Sequence, residues 1–258
     1  MIVEKHKIEN FIRALERLLA TNFQRKIDAD IIMLHAPKHE LSIILYLPTA
    51  MGRLAQQSPR TVHIDYDQII SDSDKLCGRL AALFGNGQVV YARKTVVARI
   101  DKRVSISFLE EHHLQAAIPG KYRYGLFHEG QLVSIAIFSG GRRMRDQHEK
   151  YRSFELIRFC HKTNFRIVGG LSKLLQAFIK DFRPDDIMTY VDRDWSHDSN
   201  LATLGFKEVG TAGPQRYAVA NGIRRPVESH SSSGELPVAI AGCYYVENSG
   251  STKLLLRL

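Results

Sequence analysis

The run Arg166-Ile-Val-Gly169-Gly170-Leu171-Ser172-Lys173 has the residue types that an anion needs. A β-branched and aromatic stretch, residues 154–161, comes before it, and an apolar helical repeat (Leu171, Leu174, Leu175, Phe178, Ile179) begins at once. That order leaves backbone N–H groups without partners at a helix N-terminus, where the helix dipole also favours negative charge. Arg166 adds a guanidinium able to make charge-assisted hydrogen bonds to phosphate. A phosphate-bearing ligand is the expectation; a tight strand-to-helix joint would ask for the same glycines. Other chemistry is poorly served. Glu110-Glu111-His112-His113 has a metal site's composition, but adjacent helical residues point apart and no second cluster has ligand spacing. His35, His39 and His63 show no metal spacing either, so no metal is expected. The chain holds no Ser/His/Asp set and no Walker-type loop.

The elements that must position this turn follow from periodicity. Ile8, Phe11, Ile12, Leu15, Leu18 and Leu19 predict an opening helix, and residues 30–34 and 41–47 two paired strands. A strand at 61–66 and a helix at 71–83 complete a small α+β domain over residues 1–90. From residue 91 the texture changes. A β-branched strand at 96–100 precedes a helix at 105–113 with Ser105 as its N-cap, and then a hairpin of 122–128 with 132–138. After the basic loop 139–149 come a strand at 153–161, the glycine turn, a helix to Asp181, and a strand at 187–191. A short helix closed by Gly205 and strands at 206–210 and 216–220 complete a second domain, residues 91–222. Residues 223–258 read as a mobile serine-rich linker and a terminal hairpin of 238–246 with 252–256.

Composition narrows the class. With 258 residues, 44% hydrophobic and 24% charged, the chain resembles an ordinary globular protein. No apolar run is long enough to span a bilayer, and residues 1–7 lack the apolar core of a secretory signal, so no membrane partner and a cytoplasmic location are expected. Cys77, Cys160 and Cys243 are widely spaced in apolar contexts and read as buried free thiols. The net charge of +9 suits a nucleotide cofactor or nucleic acid, although basic loops also serve solubility. Aromatic residues do not interleave with the basic clusters as single-strand stacking requires.

The order strand, glycine turn, helix, strand, short helix and Gly-Phe strand resembles the GNAT acyltransferase superfamily over residues 94–221. The family's cofactor motif has Gln or Arg, two residues, Gly, one residue, then Gly or Ala, followed by a leucine pair. Arg166, Gly169, Leu174 and Leu175 fall on those positions, and Leu171 stands where Gly or Ala is usual. Downstream, Asn200 before Leu204-Gly205-Phe206 is similar to the family's later motif. The resemblance implies an α/β (α+β) fold: a GNAT-like mixed, mainly antiparallel sheet flanked by helices, beside the small N-terminal domain. It implies acetyl-CoA or a related acyl-CoA as co-substrate, an amine acceptor, and cofactor contacts along Cys160, Arg166, Val168, Gly169, Gly170, Ser172, Lys173 and Asn200. Two central strands should part beside Gly169 into a V-shaped slot.

For catalysis the resemblance implies Glu155 as the base, on a face shared with Ile157 and Phe159; a glutamate paired with Arg158 or Lys162 is the alternative. Many relatives carry a Tyr four residues before the Gly of Gly-Phe to protonate the leaving thiolate, where this chain has Leu201. Tyr190 is the substitute, although a strand tyrosine also serves as core. Loss of the chemistry, with a nucleic-acid-binding accessory role instead, is the competing reading. Trp195, in the polar loop 192–198, suits either stacking on a flat ligand or anchoring the loop.

A narrower likeness runs through Ala92-Arg93-Lys94, residues 108–115, 155–160, Gly169-Gly170 and Asp192-Arg193-Asp194-Trp195. These look like a GNAT-like module of large-DNA-phage proteins, which there follows a nuclease-like domain. The implied very-short-patch-repair-like nuclease needs an Asp and a Glu on neighbouring strands. Asp30 matches the first; Ile44 stands at the second, so the resemblance implies a decayed nuclease.

Overall fold

Every side chain of the strand Leu41–Tyr46 is buried, which makes this apolar run the natural centre of a sheet. In the computed structural model, which describes residues 2–50, 52–55, 60–144, 150–195, 201–227 and 243–258, the chain forms two compact units. The first comprises Met1–Cys77, Val191–Asp198 and Thr211–Thr252; the second comprises Gly78–Tyr190, Ser199–Gly210 and Lys253–Leu258.

The first unit opens with helix α1 (Ile2–Leu19), which buries Ile8, Phe11, Ile12, Leu15 and Leu19 and leaves Leu18 exposed. Strands β1 (Gln24–Asp28), β2 (Ile31–Ala36), β3 (Leu41–Tyr46) and β4 (Arg60–Asp65) follow in spatial order. The β1–β2 and β2–β3 pairs are antiparallel and β3–β4 is parallel. The single helix predicted at 71–83 is instead two, α2 (Tyr66–Ser71) and α3 (Ser73–Leu83), broken at Asp72. Asp65 starts α2: its carboxylate accepts from the backbone of the first turn, and Gln68 accepts from the Asp65 N–H at 3.0 Å.

The second unit begins with β5 (Gln88–Tyr91), a short 3-10 turn Ala92–Lys94, β6 (Val96–Arg99) and α4 (Lys102–His112). Asp101, not Ser105, caps α4. Its carboxylate accepts from Val104 N at 2.9 Å, whereas Ser105 is buried one turn in and donates to Lys102 O. Then come β7 (Tyr122–His128), β8 (Gln131–Phe138), β9 (Arg142–Arg143), β10 (Arg152–His161), β11 (Phe165–Val168), α5 (Gly170–Phe182) and β12 (Asp186–Asp192). The last strands are β13 (Lys207–Ala212), β14 (Arg216–Ala220), β15 (Ile223–Pro226), β16 (Cys243–Glu247) and β17 (Ser251–Arg257).

The large sheet runs β13-β17-β12-β10-β8-β7-β6, with β9 paired to β10, and is mixed but mainly antiparallel. Helices cover both of its faces. On one, Phe178 of α5 stacks on Phe138 at 3.9 Å between ring centres and meets Phe154 edge-on. On the other, Phe108 and Leu109 of α4 pack on Ile135, Ile137 and Cys160. A mixed, mainly antiparallel sheet flanked by helices is the fold class expected from the sequence. The predicted terminal hairpin is not formed: β16 pairs with β14, while β17 lies between β12 and β13. Residues 228–242, most of the serine-rich segment, lie outside the described residues.

Ionic contacts tie the first unit's three sequence segments together. Arg53 donates to both carboxylate oxygens of Asp65 at 2.6 and 2.9 Å and to Asp194 at 3.1 Å. Arg224 bridges Asp65 and Asp67, each at 2.8 Å, and Ser249 donates its backbone N–H to Asp194 at 3.1 Å. All three aspartates are buried. Burial alone would weaken the Arg53 charge; the carboxylates around it, Asp65 foremost, reverse that and hold its pKa above the usual value. Arg53→Ala leaves Asp194 without its cation, and breaking a buried pair costs about 3–5 kcal/mol. Urea unfolding followed by fluorescence of Trp195, the chain's single tryptophan and part of this unit, should show that loss. A change below about 1 kcal/mol, the worth of an exposed pair, would contradict it.

Candidate functional site

Strands β10 and β12 run parallel but pair over only three positions: Ser153 with Asp186, Phe154 with Ile187, and Glu155 with Met188. Beyond Glu155, β10 continues to His161 along β8, while β12 continues to Asp192. The paired end is fastened from the side. Asp186, buried, accepts from Ser153 Oγ at 2.5 Å and from Tyr151 Oη at 2.7 Å. Thr189 Oγ1 donates to Leu156 O at 2.8 Å, just past the last pair. The backbone ladder between these two central strands therefore parts directly after Glu155.

A β-bulge in β10 changes what faces this parting. The register with β8 steps from Leu156–Phe138 to Arg158–Ile137 and skips Ile157. Alternation is thereby reset: Phe159 and His161 join Phe154 and Leu156 on the α5 face, while Cys160 joins Glu155 on the α4 face. The expectation that Glu155 shares a face with Phe159 fails here, because strict two-residue alternation carries no bulge. Cys160 is buried beside Ile135 and Ile137, so its thiol belongs to the core.

Register places Met188 opposite Glu155 on one face, and Tyr190 two residues on along the same face. The two proposed proton-handling groups thus stand on the two strands that diverge. Tyr190 is 44% exposed and is not a core tyrosine. Glu155 is half-buried and has no ion pair among the described residues. Arg158 instead donates to the carbonyls of Ile157 and Ala116.

The glycine turn does not follow β10 directly. β11 intervenes and pairs in parallel with β5, Arg166 opposite Val89 and Val168 opposite Tyr91. Gly169 has φ +77°, the left-handed region that costs a side chain strain, and serves as N-cap of α5 without a side-chain cap. Gly170 is small for packing: a Cβ there would lie 3.1 Å from Ile167 Cγ2 and 3.2 Å from His161 Cε1. Lys173 N bonds back to Gly169 O at 3.1 Å, so the N–H groups of Gly170, Leu171 and Ser172 precede the first intrahelical bond. Arg166 and Val168, in the strand just before them, are exposed. The Lys173 ammonium is already bonded to Ala92 O at 2.9 Å and to Thr95 O, so it anchors the 3-10 turn to α5. Asn200 lies outside the described residues.

Sequence reasoning missed His161, since a lone histidine at a strand end carries no spacing signal. Ser134 Oγ gives its single proton to Cys160 O (3.0 Å) and therefore accepts from His161 Nδ1–H at 2.9 Å. Burial lowers the His161 pKa to about 4, which keeps the ring neutral beneath the turn.

No family model matches the chain, and no curated protein matches it. Among solved structures, a GNAT family acetyltransferase from Elizabethkingia anophelis, with acetyl-CoA bound, is similar at 9% identity and TM-score 0.34, covering 64% of this chain and 99% of that one. A polyamine N-acetyltransferase from Drosophila melanogaster is similar at 10% identity and TM-score 0.38, covering 64% and 100%. For PH1933 from Pyrococcus horikoshii the values are 12% and 0.30, and the match covers 53% of this chain and 64% of that one, just under two thirds of its length. Two positions where the sequence departs from the resembled motifs are placed by the structure: Leu171 is half-buried in the first turn of α5, and Leu201 is buried, its carbonyl accepting from Leu204 and Phe206. Gly205, at φ +92°, closes the 3-10 turn Ala202–Leu204 as expected. Trp195 is 8% exposed, a loop anchor rather than a stacking surface. Ile44 is fully buried, and no cluster of three metal-ligating residues occurs among the described residues.

His161 gives this site a pH signature. Its folded pKa lies below the usual 6.5, so its contribution to stability is complete above pH 6.5 and is lost as pH falls toward about 4. The melting temperature should drop more steeply over that window in the native protein than in His161→Gln. Parallel curves would refute the assignment.

Proposed function

We propose that this protein is a GNAT-type N-acyltransferase that takes acetyl-CoA or a related acyl-CoA and passes the acyl group to an amine. The observation that carries the reading is the parting of β10 and β12 after Glu155, in the same unit as an uncapped helix N-terminus that follows β11. The parting can take an extended thioester arm between the strands. The N–H groups of Gly170, Leu171 and Ser172 and the guanidinium of Arg166 suit a pyrophosphate. Ser172 adds a hydroxyl, and Val168 an apolar side chain at the rim.

Acyl transfer requires the amine to lose a proton before its lone pair attacks the thioester carbonyl. Glu155, half-buried, in no close ion pair among the described residues and within coulombic reach of Arg158, is the base in this reading. As the C–S bond breaks, the thiolate takes a proton from Tyr190 or from water. Tyr190 replaces the tyrosine that Leu201 lacks, from the facing strand rather than from the downstream turn.

Isothermal titration with acetyl-CoA tests the binding half. Gly169→Glu should weaken binding about 100-fold, since a carboxylate at the turn displaces phosphate contacts worth roughly 1.5–3 kcal/mol each. Glu155→Gln should keep binding and lower turnover by about 10²–10⁴, the usual worth of a positioned base. No binding at millimolar acetyl-CoA, or binding indifferent to Gly169→Glu, would end the proposal.

A further inference from the structure

We infer that the exposed face of the β5–β11 ribbon is a nucleotide platform, on which Tyr91 carries the adenine of coenzyme A and Arg93 its 3′-phosphate; this rests on the acyl-CoA reading above. The ribbon has two unlike faces. Val90 and Ile167, paired in register, are 4% and 3% exposed and belong to the core. Their neighbours turn the other way: Val89, Tyr91 and Val168 are 46%, 46% and 40% exposed, and Arg166 stands among them opposite Val89. Large apolar side chains grouped on one exposed strand face, bordered by cations, mark a binding surface more than a solvated one.

The chemistry of the border selects the ligand. The Arg93 guanidinium lies 4.9 Å from the centre of the Tyr91 ring, and neither it nor Arg166 has a carboxylate partner among the described residues. No Asp or Glu occurs in residues 86–100, in β11 or in the first turn of α5 to compete for them. A flat π ring with two guanidiniums near it, neither paired to a carboxylate among the described residues, matches a purine that bears phosphate groups at separated positions. Position then assigns the ends. Tyr91 stands opposite Val168, one residue before the glycine turn, and Ala92 Cβ is 3.6 Å from where a Gly169 Cβ would lie. Lys173 holds the Ala92–Lys94 turn against α5 through the Ala92 and Thr95 carbonyls, so platform and turn keep a fixed spacing. A pyrophosphate on the Gly170–Ser172 amides leaves its adenosine against Tyr91, and Arg93, whose guanidinium lies over one side of that ring, meets the ribose phosphate.

The test compares coenzyme A with its 3′-dephospho form by isothermal titration on the full chain, the native protein beside Arg93→Ser and Tyr91→Ser. Both residues are exposed, so the fold should survive the changes. The native protein should prefer coenzyme A by about tenfold, the worth of one charge-assisted hydrogen bond. Arg93→Ser should erase the preference without weakening the dephospho form, and Tyr91→Ser should weaken both by about tenfold, as expected for loss of base stacking. Equal affinity of the native protein for the two forms, or a preference untouched by Arg93→Ser, overturns this inference and leaves acyl-CoA binding standing. Binding of neither form at millimolar concentration overturns both.

Discussion

Three paired residues decide the shape of the second unit. Had β10 and β12 stayed hydrogen-bonded along their full lengths, the sheet would be closed and no space for a ligand arm would exist between them. Their pairing stops at Glu155 and Met188 because β10 bulges at Ile157 and turns its remaining length toward β8. The short paired stretch must resist being pried apart, and Asp186 does this by holding Ser153 and Tyr151 at once. Its grip on Tyr151 raises that phenol's pKa to about 12, a sign that the bond favours the protonated ring. Thr189 closes the crotch with its bond to the Leu156 carbonyl. The opening is thus a built feature of the sheet rather than a frayed end.

The first unit relies on a different kind of interaction. Its three segments are far apart in sequence, and among the described residues Asp65, Asp67 and Asp194 meet Arg53 and Arg224 at their junction. Buried charges are expensive to desolvate, so such a cluster adds less net stability than its contacts suggest. Asp65 at its centre caps α2 and accepts two guanidiniums, so one buried carboxylate joins a helix start to two other parts of the chain. Tyr244 responds to the same field, its phenol pushed up by burial and by Asp67 and Asp65.

Much of the fold is legible in the sequence where signals are local. The amphipathic helices, the hairpin of β7 and β8, the glycine turn and the Gly205 cap all follow from periodicity or from residues that tolerate positive φ. Long-range pairing leaves no such mark. Nothing in Gln88–Tyr91 announces that it pairs with Phe165–Val168, and nothing in Cys243–Glu247 prefers β14 over its neighbour β17. Ser105 looked like a cap because it precedes an apolar residue, yet the backbone turns one residue before Lys102, where Asp101 reaches Val104. The bulge at Ile157 is the costliest omission for the site, since a bulge needs no special residue and reverses the facing of everything after it. Glu155 and Tyr190 fall on one face all the same, because both precede or avoid the slip.

The placement of β17 has a consequence for how this chain reaches its fold during synthesis. Residues 211–252 belong to the first unit, yet β17 slots between β12 and β13. The strand beside β12 therefore cannot be filled until residues 251–257 have left the ribosome. Until then β12 presents a bare edge and β13 has no neighbour in the sheet, and bare edges are templates for pairing with other chains. Translation pace and chaperone cover across this interval become determinants of yield, independent of how stable the finished sheet is.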